Sequence, residues 1–192
     1  KAKELESEKE IFVSFDETKP FSALVFKTIA DPFVGKISLF KVITGELSNE
    51  VSVINSNKGK FEKISNIFFM NGKNQIQTKR VIAGDIAAVS KLQYTETGDT
   101  LCDVNYKLVY DKMNFPRTNI SMAILPVSKN DEDKISTVLQ KLQEEDPTFK
   151  VERDVENAET IISGIGEIHL EVIASKIKNK YGVDVMLRTP KI

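Results

Sequence analysis

The residues closest to a reactive set lie in Glu159-Thr-Ile-Ile-Ser-Gly-Ile-Gly-Glu-Ile-His-Leu-Glu-Val172, where Gly164 and Gly166 precede His169, and Glu167 and Glu171 flank it. Three chemistries use such residues. The first is a dinucleotide loop, but its third glycine would fall at the position of His169. A P-loop is excluded as well, because Gly166 is followed by Glu167 rather than by Gly-Lys-Ser/Thr. The second is a metal centre, which needs side chains that converge. On a helix Glu167 and Glu171 stack at i and i+4 while His169 points nearly the other way, so the three do not share an ion. The third is acid–base work by His169; a partly buried or domain-facing histidine near a helix start fits the pattern better.

The remaining reactive types give less. Cys102, the chain's one cysteine, lies in a strand-like run with no histidine near it, as a small buried hydrophobe does. One cysteine and one histidine exclude a disulfide framework and make a zinc site improbable. Asp131-Glu-Asp133 reads as acids that favour the positive end of a helix. Gly35-Lys36, Gly59-Lys60 and Gly72-Lys73 lack the rest of a P-loop and read as hairpin punctuation. A guanine-reading Asn-Lys-x-Asp is missing too, since Asn179-Lys-Tyr-Gly182 ends in glycine. The catalytic set is therefore empty and no metal ligands are assigned.

The elements that must position these residues fall into two halves. In the 192 residues, 41% hydrophobic, there is room for two small cores. No apolar run approaches the length of a membrane span, and no signal segment opens the chain, so the expected setting is cytoplasmic. Residues 1–18 are charged, with a net of −3, and read as a linker. From Lys19 to Pro116 the net is +4, and from Arg117 onward −2. The basic middle is compatible with a nucleic-acid-facing surface, with Lys27, Lys36 and Lys41 as candidate contacts.

Between Phe21 and Tyr110, β-branched and aromatic runs alternate with turn residues. Strands are expected at Phe21–Ile29, Lys36–Ile43, Glu50–Ile54, Lys60–Phe69, Ile86–Leu92 and Cys102–Val109. Six short strands in so few residues point to a small closed antiparallel β-barrel over 19–114, because closure removes exposed edges. After Pro116 the period changes. A strand over Asn119–Val127 leads to a helix with Ile135, Val138, Leu139 and Leu142 on one stripe, stopped at Asp146-Pro147. Two strands, Thr148–Asp154 and Glu159–Ser163, precede a second helix marked by Leu170, Ile173, Ala174 and Ile177, with Gly182 at its end and a last strand over Val183–Leu187. The order βαββαβ predicts a ferredoxin-like domain over 115–192.

Six phrases of this sequence stand in the same order in one known family. They are Pro20-Phe-Ser-Ala-Leu-Val-Phe-Lys27, Ala30-Asp-Pro-Phe-Val-Gly-Lys-Ile37, Ala83-Gly-Asp-Ile86, Thr97-Gly-Asp-Thr-Leu101, Glu144-Glu-Asp-Pro-Thr-Phe149 and Thr160-Ile-Ile-Ser-Gly-Ile-Gly-Glu-Ile-His-Leu170. On these the chain resembles the second and third domains of the elongation factor G family of translational GTPases. Phe69-Met-Asn-Gly-Lys-Asn-Gln75 and the Thr-Leu-Cys-Asp ending at Asp103 are closer to the family's elongation factor G-like paralogues.

The resemblance implies a non-catalytic central piece of a longer factor, with GTP and Mg belonging to the parent chain and no cofactor here. Its implied partners are the ribosome, through small-subunit RNA and protein, and the parent's own GTPase domain; neither membrane nor DNA is implied. It places Gly164, Gly166, Glu167, His169 and Ile173 at a switch-facing inter-domain pocket that fusidic acid uses in the family. Alternatives are a self-contained RNA-binding module or a fragment of a ribosomal protection protein. An acylphosphatase-like hydrolase is disfavoured, since Val127-Ser-Lys-Asn130 supplies no arginine.

Overall fold

The structure, a computed structural model, describes residues 1–31 and 34–191. Pro32 and Phe33, which belong to the phrase Ala30–Ile37, and Ile192 lie outside the described residues. The chain divides into two compact units, Lys1–Met113 and Asn114–Ile192.

The first unit is all strand: β1 (Ala2–Glu4), β2 (Glu10–Ile11), β3 (Ser22–Asp31), β4 (Gly35–Thr44), β5 (Glu46–Ser48), β6 (Ser52–Asn55), β7 (Lys60–Lys63), β8 (Ile67–Asn71), β9 (Asn74–Thr78), β10 (Arg80–Ile82), β11 (Ile86–Ser90), β12 (Thr100–Cys102) and β13 (Leu108–Tyr110). Eight of them form one sheet in the order β7-β6-β12-β3-β4-β11-β8-β9. That ladder has two ends, so the expected closed barrel is not formed. The reason lies in the short strands: β5 and β10 pair with each other as a separate ribbon instead of bridging β9 to β7. The largest buried cluster of this unit nonetheless joins the two, with Val25, Phe40, Leu47, Val53, Val81 and Leu101 coming from both the sheet and the ribbon, and two smaller clusters form around Cys102 and Leu108 and around Ile37 and Phe68.

Residues 1–18 differ from the expected linker. β1 pairs with β13 and with β2, and Ala2 is 1% exposed. Main-chain hydrogen bonding to Leu108–Tyr110 orders a segment that has no apolar stripe, while its charged side chains stay in water. Nor is Lys60–Phe69 one strand. It breaks between β7 and β8, where Asn49 Oδ1 accepts the Ile67 amide at 2.9 Å.

The second unit follows βαββαβ: β14 (Ile120–Pro126), α1 (Glu132–Glu145), β15 (Lys150–Asp154), β16 (Glu159–Gly164), α2 (Glu167–Tyr181) and β17 (Val185–Arg188). Its sheet order is β15-β16-β14-β17, with every neighbouring pair antiparallel. Ile135, Val138, Leu139 and Leu142 form the buried stripe of α1, and Leu170, Ile173 and Ile177 that of α2. They pack with Ile124, Phe149 and Ile162 as one core. Ser128 caps a short 3₁₀ turn at Lys129–Asp131, its Oγ accepting from the Asn130 amide, and α1 begins only after that turn. At the other end Gly182 closes α2 in the left-handed conformation, φ 69°, which costs glycine least.

Candidate functional site

β16 delivers the chain to Gly164, and α2 starts three residues later, so His169 sits in the first turn of the helix. There its ring is fixed at both nitrogens. Nδ1 accepts the Ile165 amide at 3.2 Å, which leaves the proton on Nε2 to be donated to Asp146 Oδ2 at 2.8 Å. The Phe149 ring lies edge-on, with centroids 6.5 Å apart. Asp146 is itself oriented by the turn that ends α1: its Oδ1 accepts the Thr148 amide at 2.9 Å and the Thr148 hydroxyl at 2.6 Å. Two sequence phrases, at 144–149 and 160–170, thus meet in one hydrogen-bonded tie.

Partial burial by itself would raise the Asp146 pKa. The Thr148 hydroxyl and amide and the His169 ring outweigh it and hold the carboxyl below its usual value. A carboxyl depressed in the folded state stabilises the fold above its unfolded pKa, and that contribution is lost as pH falls through the folded value. The advantage of wild type over Asp146→Asn in urea midpoint is therefore expected to shrink between about pH 5 and about pH 3, since the unfolded reference is about 3.9. An advantage that stays constant through that range would show that the Asp146 charge does not matter.

The other candidates separate. Glu167 and Glu171 are exposed, whereas the His169 side chain is 14% exposed and committed to Asp146. Ile173 is 1% exposed, inside the core of its own unit. Gly166 is the N-cap of α2 in an extended conformation that any residue adopts. Gly164 is the constrained glycine: a Cβ there would stand 2.7 Å from His169 Nδ1 and 2.8 Å from Leu170 Cδ2. Beside the tie, Ile165, Ile168 and Val172 are 43, 76 and 46% exposed.

Among the lysines, Lys27 is exposed. Lys36 Nζ donates to the Thr95 carbonyl at 2.9 Å, and Lys41 Nζ lies 4.9 Å from the Phe15 ring centroid. Cys102 is buried, its thiol donating to the Leu108 carbonyl, and burial pushes its pKa up. The residue missed from sequence is Asp146. Its signal was the Asp-Pro-Thr turn, read only as a helix stop.

A mainly β unit followed by an antiparallel sheet with two helices, its histidine committed to an internal tie, defines a two-unit module whose polar centre holds itself together. Residues 20–104 match the family model Elongation factor G domain 2, and residues 115–189 match Elongation Factor G, domain III. The chain belongs to the elongation factor G family. It is 45% identical to Elongation factor G of Thermotoga maritima over 177 residues, 92% of this chain and 26% of that protein. For Elongation factor G of Thermotoga neapolitana the identity is 46% over the same length. A crystal structure of a protein from Thermus thermophilus superposes with TM-score 0.77 at 28% identity, covering 91% of this chain and 26% of that one. The chain thus spans about a quarter of the length of the relatives it matches.

Proposed function

We propose that this chain is the non-catalytic central part of a translational GTPase of the elongation factor G type, close to the family's paralogues and working in the cytoplasm. GTP and Mg would be bound elsewhere in the longer protein. The first unit would face small-subunit RNA and protein. The second, read as a ferredoxin-like domain from its βαββαβ order and its sheet order, would pack against the GTPase domain and pass nucleotide state to the ribosome-bound part. Gly164, Gly166, Glu167 and His169 would then form the inter-domain and antibiotic-facing rim, with Ile173 supporting it from the core.

The observation that carries this reading is the apolar set Ile165, Ile168 and Val172, which stands open to solvent beside a histidine fixed by two hydrogen bonds. An exposed apolar patch on a rigid support is what a packing partner covers. The self-contained RNA-binding reading lacks such support. The strand residues that alternate with the core set, among them Ser121, Ala123, Ile161, Ser163 and Met186, offer no ring for a base to stack on.

The test is Ile168→Asp in the full-length parent. Ile168 is 76% exposed, so folding is expected to be unchanged by circular dichroism. Ribosome-stimulated GTP turnover is expected to fall by about tenfold, the scale of losing an apolar anchor at an interface. Turnover equal to wild type would remove the helix start from the coupling surface.

A further inference from the structure

Asn71 is the only asparagine of the chain that a glycine follows, and the fold puts this pair at the tip of a hairpin. β8 and β9 pair from Ile67 with Thr78 to Asn71 with Asn74, so Gly72 and Lys73 make the turn. Gly72 takes φ +60°, as the first central residue of a tight hairpin turn does. Asn71, Gly72 and Lys73 are all exposed, and a Cβ on Gly72 would meet nothing within 4 Å. Neither the Asn71 carboxamide nor the Gly72 amide takes part in a hydrogen bond among the described residues.

Other asparagines are held differently. Asn55 is 0% exposed and its carboxamide donates to Asp99 at 2.9 Å, while Asn157 Nδ2 donates to Asp154 at 3.0 Å. Asn66 is the closest comparison, exposed like Asn71 and only five positions earlier. Its successor is Ile67, whose branched Cβ crowds the amide. That amide is also committed, donating to Asn49 Oδ1 at 2.9 Å.

We propose that Asn71 is a site of spontaneous covalent modification, in which the Gly72 amide nitrogen displaces ammonia from the Asn71 carboxamide. The two groups are neighbours in the chain, so the attack is intramolecular and needs no encounter. Glycine is the successor that hinders it least. Base takes the Gly72 amide proton, nitrogen bonds to Asn71 Cγ, the carboxamide C–N bond breaks, and ammonia leaves with a proton from water. The product is a cyclic imide. Water then opens the ring at either carbonyl: at the side-chain carbonyl it leaves aspartate, and at the main-chain carbonyl isoaspartate, with the chain now running through the former side chain. The net change is carboxamide plus water to carboxylate plus ammonium, and nothing is oxidised or reduced.

Both products alter the hairpin. From Lys63 to Gly84 the sequence holds no acid, so either one brings the first negative charge into that stretch. Isoaspartate also lengthens the main chain by a methylene between the paired Asn71 and the turn, so the turn no longer closes in register on Asn74. β9 stands at the end of its sheet with β8 as its neighbour there, and loss of that pairing frees it. The hairpin thus carries a covalent clock, and this inference is independent of the function proposed above.

The experiment ages the folded 192-residue chain in mildly alkaline and mildly acidic buffer and follows it by tryptic peptide mapping. Cleavage after Lys63 and Lys73 gives one peptide that contains both Asn66 and Asn71, so fragment masses compare the two directly. An unaged sample digested in parallel subtracts what digestion introduces, and Asn71→Gln serves as the blank. Asn71 is expected to gain the mass of acid over amide at least about tenfold faster than Asn66, which is shielded by Ile67. Conversion is expected to be faster in the alkaline buffer and to give isoaspartate beside aspartate, the isoaspartate detected by isoaspartyl methyltransferase labelling. A second arm ages the chain in urea. Conversion there with none in the folded chain would show that the hairpin locks the pair and would overturn the proposal. Equal rates at Asn66 and Asn71 in the folded chain would overturn it too, as would aspartate without isoaspartate, since direct hydrolysis would then be the route.

Discussion

Replacing Gly45 with alanine is expected to cost the first unit about 3 to 5 kcal/mol, a large share of the ~5 to 15 kcal/mol that holds a typical domain together. Gly45 joins β4 to β5 at φ +67°, a conformation that costs an L-residue about 1 to 2 kcal/mol. Strain is the smaller part. A Cβ would stand 2.5 Å from the Lys19 carbonyl oxygen, 2.6 Å from the Phe21 nitrogen and 2.7 Å from the Pro20 carbonyl carbon. These are main-chain atoms, so no rotamer change relieves them. The segment that would have to move is anchored: the Thr44 hydroxyl donates to the Pro20 carbonyl at 2.7 Å, and Ser22 Oγ bonds both Thr44 Oγ1 and the Tyr110 hydroxyl at 2.6 Å. Phe21, 6% exposed, is part of the core. Gly59 is the comparison, with φ +62° and open space around its Cβ position, so Gly59→Ala should cost only about 1 kcal/mol. Urea titration of both variants by circular dichroism checks this. A Gly45→Ala midpoint as mild as that of Gly59→Ala would mean that the Lys19–Phe21 segment yields freely.

Which parts of the fold were readable from sequence follows from where the information lay. The helices were readable because burial repeats at i, i+3, i+4 and i+7 in α1 and at i, i+3 and i+7 in α2, and because Pro147 and Gly182 punctuate their ends. β9 was not, because Asn74, Gln75 and Gln77 have low β-propensity and one apolar residue, Ile76, gives no alternation to detect. β1 was hidden for a related reason: its order comes from main-chain pairing with residues more than a hundred positions away. Closure of the barrel was inferred from strand count, a quantity that does not say which edges pair. β5 and β10 pair across Glu46–Ile82, and no local pattern announces that. The tie at His169 was half readable. Its helix and its partly sheltered position followed from spacing, but Asp146 is 23 residues away, and only the folded sheet brings the two turns together.

The tie also sets the second large expectation, at Gly164. Its φ is not the constraint; its neighbours are. A Cβ at this position meets His169 Nδ1 at 2.7 Å and Leu170 Cδ2 at 2.8 Å. Leu170 is 0% exposed in the core, so its response is limited by close packing. The His169 ring is held from both sides and has to leave either the Ile165 amide or Asp146 to make room. Backbone motion of Gly164 is restricted as well, since it pairs with Ile120 and its carbonyl accepts the Asn119 amide at 2.8 Å. Gly164→Ala is therefore expected to destabilise the second unit by about 2 to 4 kcal/mol, combining overpacking of about 1 to 3 kcal/mol with one lost hydrogen bond of about 1 kcal/mol. A double-mutant cycle separates this from a general intolerance of alanine on β16. In a His169→Ala background the ring clash and the tie are already gone, so the cost of Gly164→Ala should drop by at least about 1 kcal/mol, the remainder coming from Leu170. Additive losses in urea midpoint would show that the histidine ring is not what reserves this position for glycine. A large coupling would instead make Gly164 the residue that lets β16 and the first turn of α2 approach closely enough for His169 to reach Asp146.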